Sequence, residues 1–136
     1  LIVVDASVVV KWFVAEKDSS AALAIFHRGD ALLAPSHAIG EIGEVLLRAY
    51  RRGVVSLDDV QRANDVVATR LVLRSPSGLV DRAIGIAVDA AVSFYDALYV
   101  AAADLWALEL VTADAKLVER LRPTRWGPRV TLLGTD

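Results

Sequence analysis

The chain opens with Leu1-Ile2-Val3-Val4-Asp5, four apolar residues, three of them β-branched, ended by a carboxylate. A run this short cannot make a helix and suits a strand buried on both faces. The pattern returns near the far end as Leu110-Val111-Thr112-Ala113-Asp114. In an open α/β sheet, ligands gather outside the carboxyl ends of the strands. Two apolar strands that each run into an aspartate therefore predict two carboxylates facing one cleft.

Between these strands the pattern alternates. Residues 7–14 read as a short helix that Ser7 can cap, with strand as the alternative because of Val8-Val9-Val10. Asp18 and Ser19 can cap a second helix, 20–28, which Gly29 ends. Residues 31–34 are a strand stopped by Pro35, and 37–52 a helix with the apolar stripe Ile39, Ile42, Leu46, Leu47 and Tyr50. Ser56 and Asp59 resemble a capping box, opening a helix to about Arg70. Residues 71–73 are a third strand and 75–78 the clearest loop. Helices follow at 79–92 and 96–107, then a strand at 109–112, a helix at 114–121, a loop at 122–128 and a last strand at 129–133. Strands alternating with helices predict an α/β fold: a mostly parallel sheet of four to five strands with helices on both faces, built as one domain over residues 1–136.

Composition narrows the function. Hydrophobic residues are 55 % of the chain, which argues against disorder. No apolar run reaches the roughly 18 residues of a membrane span. The first residues do not read as a signal peptide, so a cytoplasmic protein is expected. With no cysteine, thiolate metal sites are excluded. A net charge of −2 gives no global basic field, so contact with nucleic acid needs a local basic patch or a metal.

Four carboxylates stand out by position. Asp5 and Asp114 end strands, Asp96 opens a helix after a loop, and Glu41 lies one turn into the helix after Pro35, between Gly40 and Gly43. Each has a plainer reading: a helix cap for Asp5 and Asp114, a dipole-favoured position for Asp96, a solvated helix residue for Glu41. Gathered in one cleft they would repel each other and need a cation. A hard, oxygen-only site suits Mg²⁺ or Mn²⁺.

Four stretches resemble the PIN-domain family of metal-dependent nucleases, and within it the VapC-type toxins of toxin–antitoxin pairs. They are Val3-Val4-Asp5-Ala6-Ser7 running on to Lys11-Trp12-Phe13; Ala34-Pro35 with Glu41 six residues after the proline; Phe94-Tyr95-Asp96-Ala97-Leu98-Tyr99-Val100-Ala101; and Leu110-Val111-Thr112-Ala113-Asp114 with Lys116-Leu117. They stand in the family's order and spacing over nearly the whole chain. The resemblance implies a PIN-like fold in which Asp5, Glu41, Asp96 and Asp114 hold one or two Mg²⁺ or Mn²⁺ ions, with Ser7 and Thr112 in support. It implies hydrolysis of RNA by metal-activated water, leaving a 5′-phosphate and a 3′-hydroxyl. It also implies a homodimer inhibited by a VapB-type antitoxin, which alone contacts operator DNA.

Two positions depart from the family pattern. Glu44 replaces a common Asn and is close enough along the helix to reach the same cleft. Lys116 stands where some relatives carry an acid, which puts a second ion in doubt. Arg48, Arg51 and Arg52 read either as a solvated helix end or as a phosphate-contacting strip, and Lys11 as a surface lysine or one facing the cleft. Arg120, Arg122, Arg125 and Arg129 surround Trp126, which either stacks on an unpaired base or packs the loop. His27 and His37 have no partner at metal-ligand spacing and read as structural. Competing functions are a PIN-like domain that binds RNA or a partner without catalysis, and a haloacid-dehalogenase-like phosphohydrolase. The latter wants an aspartate where Ser7 stands.

Overall fold

The computed structural model describes residues 1–135. Five strands form one sheet in the order β3-β2-β1-β4-β5, all neighbours parallel. They are β1 (Ile2–Val4), β2 (Leu32–Pro35), β3 (Leu71–Arg74), β4 (Leu110–Thr112) and β5 (Val130–Leu132). Seven α-helices flank it: α1 (Ala6–Val9), α2 (Ser19–His27), α3 (Ala38–Arg51), α4 (Leu57–Arg70), α5 (Val80–Ala90), α6 (Phe94–Trp106) and α7 (Ala115–Leu121). The expected α/β architecture is therefore present. Every residue of β1 and β4 is buried, and side chains alternate along a strand, so the centre of the sheet is covered on both faces.

Strand order places the site. The chain leaves β1 toward β2, and leaves β4 toward β5 on the opposite side. A crevice opens where neighbouring strands send their connections apart, and here that point lies at the carboxyl ends of β1 and β4. Val4 is in register with Val111, which sets Asp5 beside Thr112.

Helix α6 packs against β1, β2 and β4. Its residues Ala97 to Ala103 are all buried, an apolar surface on every side as a central helix needs. Helix α3 is one-sided. It buries Ala38, Ile42, Leu46 and Ala49 and leaves a second stripe of His37, Glu41, Val45 and Arg48 along its outer side.

Several local expectations need correction. The 7–14 helix is a single α-turn that tightens into a 3₁₀ turn over Val10–Trp12, as a run of β-branched valines favours. Asp18 does not cap α2: its backbone is left-handed (φ 64°) and its side chain makes no cap bond. The 75–78 loop continues into a 3₁₀ turn over Pro76–Leu79, with Pro76 at its start and the Ser75 hydroxyl accepting from Ser77 N. Asp96 does not open its helix. Ser93 is the cap, its hydroxyl accepting from Asp96 N at 3.1 Å, and the Asp96 carboxylate is left free of that duty. The Ser56–Asp59 capping box forms as expected. Among the described residues, no single helix is long and apolar enough to cross a membrane.

Candidate functional site

Asp5 leaves β1 with only 4 % of its surface exposed. The Ser7 hydroxyl donates to its Oδ1 and the Thr112 hydroxyl to its Oδ2, each at 2.5 Å, and Val8 N approaches Oδ1 at 3.4 Å. Asp5 thus caps α1 and faces the cleft at once, so the plain and the functional readings of this residue coexist. Burial raises its pKa from 3.8 to about 6 against the hydroxyl donors, and the nearby charge of Asp96 adds to the rise.

The same two hydroxyls bind β4 into the site. Ser7 Oγ accepts from Ala113 N at 2.9 Å, and Thr112 Oγ1 accepts from Asp114 N at 3.1 Å. Asp114 caps α7 through Oδ1 alone, which accepts from Lys116 N and Leu117 N. Ser7 supplies a hydroxyl at the position where a dehalogenase-type phosphohydrolase needs its second acid, which counts against that alternative.

Asp96 comes from the first turn of α6, and Tyr99 lies one turn further along the same helix. Tyr99 is buried and its hydroxyl donates to Glu41 Oε1 at 2.9 Å, joining residues 58 apart in sequence. His37 Nε2 lies 3.3 Å from the same Glu41 oxygen and 3.2 Å from the Tyr95 carbonyl oxygen. The His37 ring packs against the Tyr95 and Tyr99 rings, at 5.7 and 4.5 Å between centroids. Burial pushes the Glu41 carboxyl up, but bonding from His37 and Tyr99 and the charge of His37 outweigh it, so its pKa is lowered. Asp96 goes the other way: burial first, then the charges of Asp114 and Glu41, raise it.

Asp5, Glu41, Asp96 and Asp114 therefore line one cleft of about 220 Å³, together with Ser7 and Tyr99. No lysine or arginine lines it, and among the described residues His37 is the one basic side chain within ion-pair distance of any of the four acids. Such mutual repulsion, offset in part by His37 alone, is what a hard cation relieves. Among the described residues, no three His, Asp or Glu side chains stand close enough to enclose an ion unaided. Mg²⁺ commonly binds through one or two carboxylates and keeps several waters. The all-oxygen donor set fits an ion held in that manner.

The sequence pattern of the PIN domain matches residues 2–121. The chain belongs to the PIN domain family. PIN domains are generally nucleases, and generally use divalent metals. No curated protein matches the chain. Among solved structures, PAE2754 from Pyrobaculum aerophilum is similar over 88 % of this chain and 84 % of that one, at 28 % identity and a TM-score of 0.68. VapC20 from Mycobacterium tuberculosis, a toxin that cleaves the sarcin–ricin loop, is similar in fold over 88 % of this chain and 94 % of that one, at 16 % identity and a TM-score of 0.69.

The remaining candidates of this PIN domain separate clearly. Glu44 does not line the acidic cleft; it lines a neighbouring groove with Arg48 and Tyr95. Lys116 is exposed on α7 and does not line the cleft. The Lys11 ammonium is held by Glu16 at 3.1 Å and by the Lys17 carbonyl oxygen at 2.8 Å, outside the cleft. Arg48, Arg51 and Arg52 have no ion-pair partner among the described residues and line a groove running on from Glu44. The C-terminal arginines are occupied. Arg82, Arg125 and Arg129 converge on Asp104 at 2.7, 3.9 and 3.8 Å, Arg122 pairs with Glu119, and Arg120 donates to the Ala91 carbonyl oxygen. Trp126 is buried under the Arg125 guanidinium, which decides for packing over base stacking. Gly127 keeps that loop tight, since a Cβ there would meet the Leu121 and Arg122 carbonyl oxygens at 2.9 Å.

His37 and Tyr99 are the site residues that sequence reasoning missed. His37 stands four residues before Glu41, a spacing that puts both on one helix face, and that was the available signal. Tyr99 stands at the same kind of spacing from Asp96.

Proposed function

We propose that this chain is a single-domain, Mg²⁺- or Mn²⁺-dependent endoribonuclease of the VapC type, a cytoplasmic toxin restrained by a VapB-type antitoxin. The observation that carries the reading is the cleft in which Asp5, Glu41, Asp96 and Asp114 meet without a lysine or arginine among them. A bound divalent ion supplies polarisation of the phosphodiester and stabilises charge on the leaving oxygen. Asp5 is held in one orientation by the Ser7 and Thr112 hydroxyls, and Glu41 by Tyr99 and His37. Asp96 and the second oxygen of Asp114 are left for the ion. Arg48, Arg51 and Arg52 extend from the cleft along α3 as a track for the phosphates on either side of the cut.

The toxin part of the reading draws on the fold shared with VapC20 and on apolar surface without a partner. Val80, Ile84 and Val88 are exposed at four-residue intervals on α5, a strip suited to a homodimer contact. Ile39, Leu46, Leu47 and Val60 line an apolar groove between α3 and α4 that suits an antitoxin segment. Operator DNA would then be reached through the antitoxin alone.

The test is incubation of a small-RNA pool with antitoxin-free chain, in Mg²⁺, in Mn²⁺ and in chelator. Discrete fragments that require metal and carry 5′-phosphates are expected. RNA bound but uncut with both metals, by folded protein, would favour the binding-only reading.

A further inference from the structure

A groove larger than the acidic cleft adjoins it and is not explained by the carboxylate cluster. It encloses about 550 Å³, within the roughly 300–1,000 Å³ that take a small-molecule-sized group. It shares Glu41 and Val45 with the cleft, so whatever fills it lies directly beside the four carboxylates. One wall is Tyr95, 59 % exposed yet braced from behind, because its ring is stacked on that of His37 with 18° between the planes. The groove is also lined by Glu44 and Arg48, neither in an ion pair among the described residues, and by Gly40, where a Cβ would meet nothing within 4 Å.

We infer that this groove is the subsite for one unpaired nucleotide next to the cut. The inference rests on the ribonuclease reading and deepens it by assigning Tyr95, Arg48 and Glu44 to the base and phosphate that flank the cut. An exposed ring fixed in place from one side is a platform on which a splayed base stacks. Arg48 is placed for the phosphate of that nucleotide, continuing the track of Arg51 and Arg52. Glu44 offers an acceptor-only carboxylate to the base edge, so it selects bases carrying N–H donors there, guanine with two adjacent donors above uracil with one. The unpaired arginines, leading away from a cleft that suits phosphodiester chemistry, favour RNA over a protein segment as the occupant. Glu44, a departure from the family pattern, thereby acquires a role that the acidic cleft does not give it.

The test uses the full chain with Asp96→Asn to slow cleavage, in Mg²⁺, and fluorescein-labelled RNA of one sequence, single-stranded or closed in a duplex. Single strands should bind more tightly. Tyr95→Ala should weaken that binding about 5- to 150-fold, the range for loss of one base–aromatic stack, while Tyr95→Phe stays within about threefold of the parent. In the cleaving chain, Tyr95→Ala should raise KM more than it lowers kcat, and Glu44→Gln should change which base flanks the cut. A parent that binds and cuts RNA, with Tyr95→Ala indistinguishable from it, overturns the subsite and leaves the nuclease standing. A parent that neither binds nor cuts RNA overturns both. If Tyr95→Ala alters self-association and leaves RNA affinity unchanged, the groove is a protein contact and the inference is wrong.

Discussion

Asp96→Asn should lower RNA cleavage by about 10²- to 10³-fold, equivalent to about 3–4 kcal/mol of transition-state stabilisation. The size follows from position. Asp96 does not cap its own helix, a duty that Ser93 takes through the Asp96 backbone amide, and Ser93 is also the one hydrogen-bonding group that bears on its carboxylate. It sits between Asp5, Asp114 and Glu41, whose charges bear on it or it on them. Asparagine keeps the shape and the cap bond and removes the charge that a divalent ion needs. The folded state should be unharmed, with an unfolding midpoint at or slightly above the parent's, because burial and two neighbouring acids already disfavour the ionised form. Cleavage at the parental rate by this variant would remove Asp96 from the proposed centre.

The second large effect is on stability, and its sign runs against intuition for a substituted site residue. Asp5 titrates near 6 in the folded chain against 3.8 ordinarily, with burial the first cause. Below pH 3.8 the carboxyl is protonated in both states and its contribution to stability is intact. As pH rises from there through 6 the unfolded chain releases this proton first, so stability falls, and above 6 the loss amounts to about 3 kcal/mol at most. Asp5→Asn does not titrate. In chelator at pH 7–8 it should therefore be more stable than the parent by about 1–3 kcal/mol, and the gap should close toward pH 4. Denaturant unfolding at several pH values measures this directly. Divalent metal should return the parent, and not the variant, toward higher stability, as any ligand of the folded state does. A variant less stable than the parent at pH 8 in chelator would mean that the Asp5 carboxylate serves the fold rather than the ion.

Much of this was legible because a short parallel strand leaves a plain mark. Leu1 to Asp5 and Leu110 to Asp114 are apolar runs with no alternation, and burial on both faces is why. A carboxylate after such a strand in an α/β chain points to the sheet's carboxyl edge, and the register between Val4 and Val111 delivers that geometry. Tertiary pairing was less legible. Tyr99 and Glu41 are bound across 58 residues, and no local pattern announces such a contact. His37 looked solitary because its partners are a helix neighbour and two tyrosine rings rather than another metal ligand. Glu41 and Glu44 lie one turn apart on α3, so spacing alone left both open; the small rotation between them places one in the cleft and the other in the groove beside it. The arginines around Trp126 read as a basic surface because Asp104, which gathers three arginines from different elements, is remote in sequence from all of them.

A divalent cation held in the cleft of Asp5, Glu41, Asp96 and Asp114 is the feature on which the proposed chemistry depends. Titration of the folded, metal-free chain with Mn²⁺, followed by the ion's electron paramagnetic resonance signal, tests it without relying on a substrate. One or two ions should bind saturably per chain, with affinity reduced at least about tenfold in Asp96→Asn. The absence of saturable binding by the folded parent, or equal binding by the two proteins, would contradict a cation held in this cleft.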